Sequence, residues 1–81
     1  MNVFSKGRVN NEEYMITLDG KGGALICGCL AVCRYSETEI SIKLKRNILT
    51  VCGLSLTLKA YLPGELEIIG EISDIHIERR V

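Results

Sequence analysis

The sequence predicts an all-β domain, an antiparallel meander of about six or seven short strands. Apolar and polar residues alternate with a period of two along several segments, as they do in half-buried strands. Turn-forming residues recur about every 7 to 12 positions, and no segment of about ten or more residues has helical spacing. We expect so small a sheet to curl, or to form a small barrel or sandwich that self-association completes.

The first part of the chain divides into a lead-in and the first two strands. Residues 1–12 have little periodic apolar content, so we expect a flexible lead-in before a single domain of residues 13–81. A short strand over residues 14–18 is followed by a glycine-rich turn at residues 19–23. Residues 24–35 are predicted to form the next strand, which ends at a turn of residues 36–38.

The second part of the chain has the most regular alternation. Residues 39–44 and 48–52 are predicted to pair across a hairpin loop at residues 45–47. After Gly53 the alternation resumes, and one face is expected to carry Leu54, Leu56, Leu58, Ala60 and Leu62. Pro63 and Gly64 have the composition of a tight turn. Beyond them the inward row slips by one residue between Ile72 and Ile75, which predicts a bulge near residues 73–74.

Size and charge exclude several classes of function. The 81 residues are enough for one small core. The formal net charge is zero, without the basic stripe by which proteins bind nucleic acid. The longest apolar run is about half the roughly 20 residues of a membrane span. We therefore expect a cytoplasmic protein with no direct membrane span, in which four cysteines stay reduced.

Three of the cysteines lie in the segment ALICGCLAVC, residues 24–33. In a continuous strand, Cys27, Cys29 and Cys33 would share one face. A CxC pair on a strand holds its side chains about 7 Å apart, which suits neither a zinc knuckle nor a disulfide. We expect these thiols to pack in the core. The alternative is a metal-binding or redox-responsive domain that uses Cys27, Cys29, Cys33 and Cys52.

No catalytic or cofactor signature is present. His76 is the only histidine, and we expect it on the polar face of a strand. The carboxylates of Glu65, Glu67 and Glu71 are also expected on a solvent face, where they protect a sheet edge. The glycines of residues 20–23 lack the GK[ST] of a phosphate-binding loop. The sequence therefore predicts a protein that is not an enzyme and that has no cofactor.

The apolar surface exceeds what one small sheet can bury. The segment of residues 24–33 is apolar on both faces, and the row along residues 54–62 is long and aliphatic. This excess predicts a homo-oligomer. The expected contact residues are Leu54, Leu56, Leu58, Leu62, Ile26 and Leu30.

Residues 35–78 resemble the YabP/YqfC family of sporulation proteins, with the YqfC-like branch the nearer match. The similarity lies in the order of an aromatic-Ser-acidic turn (YSE, residues 35–37), an alternating strand, the break at Gly53 and the closing segment LPGELEIIGEISDI, residues 62–75. The resemblance implies a non-enzymatic protein that acts in spore assembly. It further implies a partner among the sporulation membrane proteins and a place in the mother cell, peripheral to the forespore membrane.

Overall fold

The protein has an all-β, antiparallel fold in a computed structural model that describes residues 7–10, 14–20 and 22–79. As the sequence predicts, none of these residues is helical. The strands, in chain order, are β1 (Gly7–Asn10), β2 (Met15–Asp19), β3 (Gly23–Cys29), β4 (Ala31–Tyr35), β5 (Glu39–Lys43), β6 (Asn47–Leu62) and β7 (Gly64–Arg79). Five of them have four to seven residues, whereas β6 and β7 have 16 residues each.

The long hairpin of β6 and β7 organises the sheet, whose strand order is β1-β2-β3-β7-β6-β5-β4. Residues 57–62 of β6 and 64–69 of β7 form its tip half, and β3 pairs with the β7 side of this half. Residues 47–52 of β6 and 74–79 of β7 form its base half, and β5 pairs with the β6 side. Two short meanders are therefore attached to opposite halves of one hairpin.

Leu30 alone connects β3 to β4, although these strands lie far apart in the order of the sheet. One connecting residue spans at most about 7 Å, so the end of β3 must lie beside the start of β4. The N–H of Leu30 also donates to the carbonyl of Lys43 at 2.7 Å, which holds the connection against the end of β5. The sheet therefore curls into two facing layers, and β1 and β4 remain as its edges.

One apolar core lies between the two layers. Cross-strand pairs such as Ile26 with Leu66 and Ile42 with Leu49 place its side chains in rows on the inner face of each layer. The buried members are Ile16, Leu18, Ala24, Ile26, Cys29, Ile40, Ile42, Leu44, Leu49, Val51, Leu56, Leu66 and Ile68. Because all of them are at most 8% exposed, the two layers cover each other.

Two glycines allow the hairpin to bend between its halves. A Cβ on Gly53 would lie 2.9 Å from the carbonyl carbon of Glu71, so only glycine fits there. Gly70 has a φ of 134°, and a Cβ on it would lie 2.7 Å from the carbonyl oxygen of Ser55. The backbones of β6 and β7 therefore approach each other closely at the bend.

Ser73 is an extra residue in β7 at the same bend. The pairing passes from Cys52 with Asp74 directly to Gly53 with Ile72, which leaves Ser73 unmatched. Its hydroxyl group donates to the carbonyl of Cys52 at 3.2 Å. The bulge that the sequence predicts near residues 73–74 is confirmed.

The predicted turns are present in the structure. Pro63 and Gly64 form the loop of the long hairpin, and Gly64 has a φ of 78°. The hydroxyl oxygen of Ser36 accepts a hydrogen bond from the N–H of Glu39 at 3.0 Å, which closes the turn between β4 and β5. The hairpin connection predicted at residues 45–47 lies at residues 44–46 instead, because β5 ends at Lys43 and β6 begins at Asn47.

Part of the predicted lead-in is a strand. Gly7–Asn10 form β1, which pairs with β2 from Gly7 opposite Leu18 to Asn10 opposite Met15. The edge of β2 that does not pair with β3 offers unpaired backbone donors and acceptors. Residues 7–10 can therefore pair with it as β1 without an apolar pattern of their own. Residues 1–6 and 11–12 of the lead-in lie outside the described residues. Within those described, no helix is long and apolar enough to cross a membrane.

Candidate interaction surface

Several large apolar side chains are exposed together at the tip of the hairpin. Leu30 is 58% exposed, Tyr61 is 51% exposed and Leu62 is 60% exposed. Together with Pro63 and Gly64 they line a shallow surface cavity of about 210 Å³. Leu30, Tyr61, Leu62 and Pro63 are termed the tip patch below.

A bulge at Lys59 turns Tyr61 toward the core face. The register shifts from Leu58 opposite Ile68 to Ala60 opposite Glu67, which leaves Lys59 unmatched. The inward row predicted for residues 54–62 is therefore wrong beyond Leu58. Side chains opposite each other in a sheet share a face, so this shift reverses which residues of the tip half face inward.

The tip patch is continuous with the apolar core. Tyr61 lies opposite Leu66, which is only 1% exposed. On the other side of the cavity, Leu30 directly follows Cys29, the buried last residue of β3. A patch that extends a core to the surface is typical of obligate interfaces, which resemble a domain core cut in half.

Tyr35 connects β4 to the tip half of β6. Its phenolic oxygen accepts a hydrogen bond of 3.4 Å from the N–H of Leu58. Farther along this edge, residues 59–62 of β6 pair with β7 on one side and with no other described strand on the opposite side. The tip patch therefore lies where the two layers come together but the sheet does not close.

Charged side chains of both signs lie on β6 and β7 near the tip patch. The ammonium group of Lys59 lies 3.9 Å from the carboxylate of Glu67, and Glu65 is opposite Leu62. Both groups of the ion pair are largely exposed, so the pair contributes little to the stability of the fold. It contributes a polar rim to an apolar centre, which is the general anatomy of a protein–protein interface.

The structure separates the six predicted contact residues into three groups. Leu30 and Leu62 lie together in the tip patch, as above. Ile26 and Leu56 are in the core, so they are not available to a partner. Leu58 is half-buried against the core, and Leu54 is exposed elsewhere on β6.

Leu54 and Leu56 differ in burial because the backbone of Ser55 has a φ of 54°. This left-handed conformation is rare for a residue other than glycine, and it disrupts the alternation between its neighbours. Leu56 is 1% exposed, whereas Leu54 is 59% exposed. The prediction that both face the same way is wrong for this reason.

The contact residues expected from the sequence do not include Tyr61 and Pro63. The sequence indicates only a turn at Pro63, and regular alternation would place Tyr61 on the face opposite to that of Leu62. Their position next to the hairpin loop was a usable signal, because apolar residues at a loop have few neighbours to cover them.

The cysteines do not share one face. Gly28 has a φ of 92°, and the pairing of β3 with β7 shifts between Cys27 and Cys29. This bulge turns Cys29 into the core, while Cys27 is half-buried opposite Glu65. Cys33 is exposed on β4. The continuous strand expected over residues 24–35 is thus two strands, and core packing holds fully for Cys29 alone.

The thiols of Cys29 and Cys52 are poorly suited to nucleophilic or metal chemistry. Burial raises the pKa of Cys29, and the negative charge of Cys27 and Glu65 adds to the shift, while a backbone hydrogen bond partly offsets it. Burial also raises the pKa of Cys52, with Glu39 and Asp74 adding to it. Reactive and metal-binding cysteines need a lowered pKa, because the thiolate is the reactive form.

No other group of side chains in the described part of the chain is arranged to bind a metal ion or to act in acid–base catalysis. All four cysteines are free, and within residues 7–10, 14–20 and 22–79 no three His, Cys, Asp or Glu side chains converge on a metal site. His76 is exposed opposite Thr50. Glu65 and Glu71 are exposed and Glu67 is half-buried, so none of these carboxylates lies in an enclosed cleft of the kind that general acid–base catalysis uses.

Comparison with known proteins gives no match: no family model, no curated protein and no solved structure is significantly similar to the chain.

Proposed function

We propose that this protein is a non-enzymatic interaction protein, a small β-module that acts through protein–protein contacts. The tip patch carries this proposal, because it is an exposed extension of the core with a mixed-charge rim. The largest contiguous apolar patch on the surface of a protein is often a binding site. The protein positions this surface on a rigid hairpin, and binding there needs no reacting group.

The resemblance to the YabP/YqfC family supports a role in spore assembly. On that basis the partner is expected among the sporulation membrane proteins of the mother cell. The protein would then work on the cytoplasmic side, peripheral to the forespore membrane.

Site-specific photocross-linking in sporulating cells tests the proposal. A photoreactive amino acid replaces Tyr61 in one strain and Leu54 in the control strain. Both positions are more than half exposed and lie on the same strand. We expect a discrete protein adduct from position 61 and none from position 54. Equal labelling at both positions, or no adduct at position 61, would contradict the proposal.

A functional readout accompanies the cross-link. A chromosomal Leu62→Ser substitution is expected to lower the yield of heat-resistant spores at least about tenfold, because it places a hydroxyl group in an apolar contact. The matched Leu54→Ser strain should sporulate normally. If both strains sporulate like the wild type, the tip patch has no role in spore assembly.

A further inference from the structure

We propose that the tip patch binds a second copy of this chain in a two-fold symmetric dimer. This inference rests on the proposed function, because it names the partner of the same surface. In a two-fold contact the same patch serves both copies, so it must complement itself in shape and charge.

The area of the tip patch matches what a stable dimer needs. Three of its side chains are between 51 and 60% exposed, and Pro63 is exposed as well. An aromatic side chain such as Tyr61 can bury roughly 150–250 Å². With the two leucines and Pro63, which are smaller, the exposed part of the patch is on the order of 400 Å². A standard interface covers about 800 Å² on each partner, of which slightly more than half is apolar. The patch supplies about that apolar share.

The charges of the chain favour association with itself. The formal net charge is zero, so two copies do not repel each other as they approach. The rim offers the cation of Lys59 and the carboxylate of Glu65. In a two-fold arrangement each copy therefore presents both signs to the other. No strongly charged partner is required to complement this surface.

The contact is made by side chains and not by strand addition. β4 has a register shift at Cys33 and carries the exposed cation of Arg34. The free edge of β6 has its own shift at Lys59. Bulges and charged residues on edge strands prevent edge-to-edge pairing. Instead, Leu62 of each copy enters the cavity beside Leu30 of the other copy.

Sedimentation equilibrium of the purified protein tests the dimer between about 1 and 100 µM. The average mass of the wild type is expected to rise over this range and to approach twice the 9.0 kDa chain mass at the highest concentration. Leu62→Ser should weaken dimerisation at least about tenfold, while Leu54→Ser, an equally exposed leucine of the same strand, should change it less than twofold. Circular dichroism spectra identical to that of the wild type would show that both variants are folded.

Two results would overturn the dimer. One is a wild-type monomer at 100 µM, and the other is an equal loss of dimer in both variants. The outcome remains distinct from that of the proposed function. A monomer in solution, combined with an adduct between position 61 and a different protein in cells, would remove the dimer and leave the interaction role standing.

Discussion

The α-carbon of Gly53 is packed against the backbone of Glu71, so that a Cβ at residue 53 would overlap the peptide group of Glu71. This contact lies at the bend of the long hairpin, where the pairing of β6 with β7 shifts register. The bend lets the two halves of the hairpin face each other. The buried core and the position of the tip patch both depend on it.

Gly53→Ala should therefore destabilise the protein strongly. The added methyl group meets backbone and not a flexible side chain, so the strands must separate locally, and we expect a loss of about 3 kcal/mol or more. Gly64→Ala is the control, because Gly64 has open space around it and only its φ of 78° disfavours alanine. Its expected cost is about 1 kcal/mol. Urea unfolding of both variants measures the difference, and equal losses would contradict the close contact at the bend.

Leu56→Ala and Leu54→Ala should differ greatly in stability, although the two leucines are two positions apart. Leu56 is in the core, so its truncation should cost about 2–5 kcal/mol. Leu54 is exposed, and its truncation should cost less than about 0.5 kcal/mol. Thermal and urea unfolding measure both values. Similar losses would mean that residues 54–62 alternate regularly and that Ser55 causes no irregularity.

The cysteines should react with iodoacetamide in the order of their exposure. Cys33 is exposed and should be alkylated first, while Cys29 is buried with a raised pKa and should react last. Mass spectrometry of peptides sampled over time at about pH 8 gives the order. Should Cys29 react as fast as Cys33, the bulge at Gly28 does not direct Cys29 into the core.

The stability of the protein should fall at alkaline pH because of the same thiols. The pKa values of Cys29 and Cys52 are raised in the folded state, whereas unfolded thiols ionise near pH 8.5. The stabilisation is fully present below about pH 8.5. Above it the unfolded chain loses protons that the folded chain keeps, so the free energy of unfolding decreases toward the folded pKa values.

Urea unfolding between about pH 7 and 9.5 tests this pH dependence. The double variant Cys29→Ala/Cys52→Ala is the control, and its free energy of unfolding should fall less over this range than that of the wild type. Parallel curves for the two proteins would show that these thiols do not titrate differently on folding.

Turn chemistry and alternation made much of the fold predictable. Pro63 and Gly64 identify the hairpin loop because one presets φ and the other accepts a positive φ. The slip of the inward row after Ile72 locates the bulge at Ser73, since a shift of one residue reverses the two faces. Strict alternation in residues 39–44 likewise identifies the core side of β5.

The remaining irregularities could not be predicted because they depend on tertiary contacts. Ser55 has a positive φ without the residue type that signals one, and Lys59 forms a bulge inside a perfectly alternating segment. Each reverses the faces of the residues that follow. Regular alternation therefore predicts a contact surface that includes Leu56, which is in the core, and omits Tyr61. Only the curl of the whole sheet places Leu30 beside Leu62.

Amide hydrogen exchange at low and high protein concentration tests the central claim, that the tip patch binds a second copy of the chain, most directly. On raising the concentration from about 1 to 100 µM, we expect exchange to slow in peptides covering residues 29–31 and 59–64. Peptides covering residues 53–57 should be unchanged. Exchange that is independent of concentration at the tip, or that slows only on another face, would contradict the account.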